Sequence, residues 1–218
     1  MKNYLKWMLP IFALLLLSAC SGEGVKGNGQ PTSQARQLQN FEKIVINGRY
    51  NVMITAGKNQ RLTVTADSNF LPLIQTVVKD NELVISNKDN EMLVSKNAPA
   101  INIRVPKLTS ISTNGNIKLQ AGEIKANDFK LKTTGASNVK LSGKVSEVDV
   151  KSFGASVVNA LGLTAQSANI NVEGASTVKV NAPKLEIKIN GAGQVDYVGN
   201  PTITQQVKGI GKIQKIQE

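Results

Sequence analysis

The chain has 218 residues, 41% of them apolar, which is enough to bury a sizeable core. Lysine and arginine number 26 against 15 aspartates and glutamates, histidine is absent, and aromatics make up 4%. Without histidine the chain lacks the side chain best suited to acid–base work near neutral pH and the commonest metal ligand, which excludes many enzyme classes.

Taken in chain order, the first element is a processing signal rather than structure. Lys2 and Lys6 give a basic start, Leu9 to Leu17 an apolar run, and Leu17, Ser18, Ala19 and Cys20 a small-residue cleavage site ending in the only cysteine. This stretch resembles a bacterial lipoprotein signal. The resemblance implies removal of residues 1–19, lipidation of Cys20, and, with Ser21 following it, sorting to the outer membrane of a two-membrane cell. An ordinary secretory signal is the competing reading; the apolar run is too short for a membrane span. Residues 20–40 are rich in Gly, Ser and Gln without apolar periodicity, so they read as a lipidated cysteine and a flexible tether. The folded domain is expected over 41–218.

From Phe41 onward the apolar period is two. Ile44, Ile46, Val52, Ile54, Leu62, Val64, Leu83, Ile85, Ile101, Ile103 and Val105 alternate with mostly polar residues, as half-buried strands require. The apolar run Phe70 to Val78 breaks this pattern; a short helix, a lateral excursion and a strand pair all remain open there.

The second half repeats one phrase: an alternating run, a glycine, small residues, a second alternating run. Gly115, Gly135, Gly154, Gly174, Gly191 and Gly209 are 17 to 20 residues apart, and Gly48 heads an early copy. Such self-similarity is the signature of a stacked repeat. Residues four and two before each glycine, such as Ile170 and Val172, share one strand face, as do residues four and six after it, such as Val178 and Val180. Each coil is then strand, corner, strand. The expected fold is all-β, a right-handed parallel β-helix with coils of about 17–20 residues; an antiparallel sandwich is the runner-up.

These residues resemble the GIN domain, the head domain of auto-transporter adhesins also found on envelope lipoproteins. The resemblance rests on Phe41 to Gly48, the segment Ala66 to Asn69, Asn81 to Ile85, Val105 to Leu108, and the Gly-x-Gly copies at Gly191 and Gly209. It implies a function in attachment and carries no catalytic residues.

Candidate chemistry is sparse. The serines Ser137, Ser156 and Ser176 form a ladder that could be a binding ledge for a glycan, against a plainer reading in which each hydroxyl bonds backbone at its corner. Thr113, Thr133 and Ser152 form a second small column, read as inward-facing. Glu147 and Asp149 share a strand face, but the repeat carboxylates look scattered in phase, so no catalytic set and no metal or cofactor site is expected. Outward lysines (Lys118, Lys130, Lys132, Lys140, Lys151, Lys179, Lys188) suit anionic polysaccharide or lipid phosphates. Nucleic acid is not expected, because arginine-rich reading heads and stacking aromatics are missing. The reading is a non-catalytic, lipid-anchored envelope protein for adhesion, binding or bridging. A structural or assembly protein, with coil ends making a homo-oligomer, is the alternative, and a glycan-modifying enzyme a further one.

Overall fold

The computed structural model describes residues 24–57 and 59–217. The signal segment, Cys20 and Ser21 lie outside the described residues. The first strands are β1 (Val25–Lys26), β2 (Pro31–Arg36), β3 (Lys43–Ala56), β4 (Arg61–Asp67), β5 (Ile74–Lys79), β6 (Glu82–Asn87), β7 (Leu93–Val94) and β8 (Ala100–Val105). The repeat contributes β9 (Ser110–Gly135), β10 (Asn138–Gly154), β11 (Val157–Thr164), β12 (Ser167–Gly174), β13 (Thr177–Val180), β14 (Lys184–Gly191), β15 (Gln194–Tyr197), β16 (Thr202–Gly209) and β17 (Lys212–Lys215). The only helical element among the described residues is a 3-10 turn, Lys88–Asn90.

Fifteen strands form one large mixed sheet, and β1 pairs β7 apart from it. In the repeat every pairing is parallel and joins each phrase to its next copy. Val150 of β10 lies between Leu131 and Ile170, Ile170 faces Ile187 of β14, and Val158 faces Val178, which faces Val195. Like therefore sits on like, and the inward Leu, Ile and Val side chains are buried up to the last repeat, where Val207 is exposed. This is the register that period-two alternation with an unvarying corner demands, because a slip of one residue would expose every apolar side chain.

Gly48 pairs with Gly115, so the early copy belongs to the same glycine column. The chain between them leaves the stack and returns. Within this excursion β4 pairs antiparallel with β8, and β5 and β6 form an antiparallel hairpin closed by Asp80 and Asn81 at φ 52° and 62°; β2, which precedes it in the chain, pairs antiparallel with β4. Two consecutive positive-φ residues make the turn whose twist matches that of flanking strands. Two expectations are corrected. The sheet is not parallel throughout, since beyond β3 and β8 it continues through β4 and β2 in antiparallel pairs. Residues 31–36 are not free tether: they carry few apolar side chains, yet their backbone completes the edge of β4, with Ser33 and Thr65 hydroxyls 2.7 Å apart. The Phe70 to Val78 stretch resolves as a turn followed by the single strand β5, whose partner β6 lies beyond it; Phe70 and Ile74 are buried in the core.

Candidate functional site

The corner column is the most regular part of the molecule. Gly154 has φ 113°, and a Cβ built on it would lie 2.6 Å from the Gly135 carbonyl oxygen. That oxygen accepts a hydrogen bond from the Ala155 amide at 2.9 Å, and the same bond recurs from Ala136, Ala175 and Ala192 to the glycine one coil back. A side chain would both strain the backbone and block the approach that closes the bond.

The serine ladder lies inside this corner. Ser137, Ser156 and Ser176 are at most 2% exposed. Ser156 Oγ accepts from the Ser137 amide at 3.1 Å and donates to the Gly135 carbonyl at 3.3 Å; Ser176 Oγ does the same for the Ser156 amide and Gly154. The ledge reading is therefore corrected: the hydroxyls are consumed in satisfying backbone groups that burial would otherwise leave unpaired. Thr113, Thr133 and Ser152 are buried as expected, with Thr113 bonded to Ser137 and Thr133 to Ser152.

The two small columns are complementary in a way the sequence holds but spacing alone does not reveal. The residue two before a corner glycine meets the residue two after the next one. Thr113 meets Ser137 through hydroxyls 3.1 Å apart. Where the first column turns apolar, at Val172 and Ile189, its partners are Gly193 and Gly211; a Cβ there would sit 2.4 Å from Val172 Cγ1 and 2.5 Å from Ile189 Cγ2. Polarity and volume are matched coil by coil.

The outward faces divide by charge. On the face bearing β10, β12 and β14 the carboxylates are less scattered than the phases suggested. Asp128 is the register partner of Glu147, and Asp149, Asn169 and Glu186 form one column. Glu147 accepts from the Asn169 amide at 2.8 Å, and Lys188 reaches Glu186 at 2.7 Å. Lys151 stands 3.8 Å from Asp149. These are solvated mixed charges, and no cluster of three potential metal ligands occurs among the described residues.

The face that runs across β4, β8, β3, β9 and β10 differs. Its outward side chains form adjoining columns: Thr65, Ala100, Asn51, Lys118 and Asn138, then Thr63, Asn102, Met53, Gln120 and Lys140. Arg61 and Arg104 stand opposite each other at its margin. With these arginines, Lys118 and Lys140 give the columns four cations; the acids of the same face stand at its edges, Asp67 two residues past Thr65 on β4, where it accepts from Ser95 at 3.1 Å, and Asp196, reached from Lys140 through Asn159 and Lys179. All four arginines precede the repeats in the sequence, and only the antiparallel pairing of β4 with β8 brings two of them onto the sheet face that carries Lys118 and Lys140. Further along the same sheet Asp196 is 3% exposed, held by Gln194 at 2.7 Å and Gln214 at 3.0 Å.

Tyr50 ties the stack to the excursion. It is 1% exposed, and its hydroxyl donates to Asn87 Oδ1, while Asn87 Nδ2 donates to the Glu91 carbonyl at 2.6 Å. Burial raises the phenol's pKa well above its ordinary value.

No helix among the described residues is long and apolar enough to cross a membrane. No curated protein sequence matches the chain. Solved structures that share the fold include the following three. The crystal structure of a putative adhesin from Bacteroides fragilis is 23% identical, with a TM-score of 0.69 over 88% of this chain and 100% of that one. A putative lipid binding protein from Parabacteroides distasonis is 18% identical, with a TM-score of 0.56 over 88% and 99%. A putative adhesin from the same species is 18% identical, with a TM-score of 0.53 over the same shares. The sequence profile described as "Putative auto-transporter adhesin, head GIN domain" matches residues 40–201, the excursion and nearly all the coils, and the chain belongs to that family.

Proposed function

We propose that this chain is a non-catalytic, lipid-anchored cell-envelope protein whose body is a right-handed parallel β-helix with a folded excursion, and that it binds or bridges anionic envelope polymers. Membership of an adhesin family supports the attachment role. The observation that carries the choice of partner is the stretch of outward face from Arg61 and Arg104 to Lys118 and Lys140, which holds four cations, with Asp67 at its edge bonded to Ser95. Such a face attracts polyanions over distances near a Debye length, about 8–10 Å at ordinary ionic strength. Binding of the full chain to acidic polysaccharide or lipopolysaccharide should therefore weaken steeply from low to high salt; salt-independent binding would contradict the electrostatic reading.

Anchoring rests on the motif ending at Cys20. Mass spectrometry of the mature N-terminus should find a diacylglyceryl group on that cysteine, and an unmodified thiol would contradict it. An assembly role is favoured by one observation: β16 and β17 end the sheet with Ile210 82% and Val207 40% exposed. Against it, Gln205 and Lys215 occupy the otherwise apolar inward columns, as expected of a terminal coil that faces water. Light scattering of the full chain in detergent separates the two, with a monomer removing the assembly reading.

A further inference from the structure

We infer that the groove across β4, β8, β3, β9 and β10 is a binding site for an acidic polysaccharide, a chain bearing carboxylate or sulfate groups; the inference deepens the polyanion reading above and rests on it. Three independent features converge on that ligand chemistry.

The first is an uncompensated like-charge pair. Arg61 and Arg104 are direct partners across an antiparallel ladder. Like charges placed opposite each other cost stability, and no ion pair among the described residues includes either arginine. The other two arginines are used internally: Arg36 donates to the Leu71 carbonyl at 2.8 Å, and Arg49 to the Ser95 carbonyl at 3.1 Å. A planar guanidinium pair over a shallow floor is matched to carboxylate or sulfate oxygens, which each fork can engage through two parallel hydrogen bonds.

The second feature is the floor between the charges. Asn51, Asn102, Gln120 and Asn138 present four side-chain amides on adjacent strands, each both donor and acceptor. Among the described residues only Asn51 is engaged, by a long 3.5 Å contact to the Ala98 carbonyl. Neutral amides do little for a phosphate surface but match sugar hydroxyls, which also donate and accept. Met53, 53% exposed at the centre, supplies a patch of apolar surface against which a sugar ring can rest.

The third is shape. The amide floor is a groove of about 370 Å³, continuous through Met53 and Asn102 with a second of about 290 Å³ that holds both arginines. Five strands span roughly 19 Å at about 4.8 Å per interval. The guanidinium pair lies at one end and Lys118 and Lys140 at the other, so the site has the length and polarity of a polymer segment rather than a single anion. A lipid headgroup layer would be met better by a flat cationic patch. The mixed-charge face over β10, β12 and β14 has no comparable run, because Asp149 and Glu186 neutralise Lys151 and Lys188.

The test compares full-length protein with two charge-matched variants, Arg61→Gln/Arg104→Gln in the groove and Lys151→Gln/Lys188→Gln on the other face. Probes are polygalacturonate, heparin, neutral dextran and vesicles containing phosphatidylglycerol. The expected result is salt-sensitive binding of an acidic polysaccharide, weakened about tenfold or more by the arginine pair and less than about twofold by the lysine pair. Asn102→Ala/Gln120→Ala should weaken it too while leaving the long-range salt dependence intact. Equal losses from both charge pairs would overturn the groove and leave the general polyanion reading standing. Binding of vesicles through the arginines, with no polysaccharide bound, would overturn the choice of glycan. No polyanion bound by the wild type would sink both readings together. Melting curves without ligand guard against misfolding: relief of the arginine pair should leave the melting temperature equal or higher, so a binding loss from the variant is not a loss of fold.

Discussion

The coils from Ser110 onward and the excursion between Gly48 and Gly115 are built by opposite rules. In the coils each strand pairs, in parallel, with a copy of itself one phrase away, so one corner solution is used repeatedly and the side-chain columns follow from it. In the excursion, strands of unlike sequence pair in both senses: β6 and β8 run parallel to β3, β4 antiparallel to β8, and β5 antiparallel to β6. Repetition makes the coils regular but chemically monotonous: their small columns are buried, and on the face over β10, β12 and β14 Lys151 and Lys188 stand beside Asp149 and Glu186. The excursion breaks the pattern, and by returning antiparallel it sets Arg61 against Arg104 beside a face of amides. In this molecule the irregular region sets two arginines on a sheet face whose lysines and half of whose amides belong to the regular one.

The sharpest way to break the coils is through the corner. Gly154→Ala forces a Cβ against the Gly135 carbonyl at a φ of 113°, and should cost about 3–5 kcal/mol or prevent folding, read by denaturant titration. Gly57→Ala, in the excursion with open space around it, is the contrast: it should change stability by less than about 1 kcal/mol. Equal effects would mean the corner is not special.

A subtler test concerns the matched columns. Gly193→Ser should destabilise by placing a side chain on Val172, and Val172→Ser should recover part of that loss, with a coupling of about 1–3 kcal/mol in a double-mutant cycle. Additive effects would show that the columns do not pack as a pair. Ser156→Ala removes the acceptor for the buried Ser137 amide and should cost about 1–3 kcal/mol.

The joint between the regions responds to pH. Folding keeps the Tyr50 phenol neutral, whereas the unfolded chain ionises it near its ordinary value of about 10. The stability held below that pH is therefore lost as pH rises through and beyond it. Tyr50→Phe should flatten that alkaline decline, at a cost near neutrality of about 1 kcal/mol for the Asn87 carbonyl left without its donor. An unchanged alkaline profile would place the titration elsewhere. Smallest of all, Glu186→Gln breaks an exposed pair with Lys188 and should shift stability by less than about 0.5 kcal/mol.

What could be read in the sequence follows the same division. The glycine spacing and the residues four and two before each corner disclosed the strands, the inward columns and the copy at Gly48, because a period repeated six times outweighs local ambiguity. The burial of Ser137, Ser156 and Ser176 was one of two readings, and only the backbone donors around them decide between these. Asp128 beside Glu147 was legible in the spacing, since both stand seven residues before their corner glycines. The strand at 31–36 was illegible for a physical reason: it is stabilised by backbone pairing to β4, which leaves almost no apolar signature. Arg61 opposite Arg104 depends on a strand return that no local pattern encodes, so the site proposed here could not have been found before the topology.

One substitution puts both halves of the account at risk. Arg104→Glu converts the like-charge pair with Arg61 into an opposite-charge pair, so the protein should melt at an equal or higher temperature. The same change places a carboxylate in the groove and should abolish acidic polysaccharide binding. Stability kept or gained with binding lost is the predicted result; binding retained at wild-type strength would contradict the claim that this face is the site.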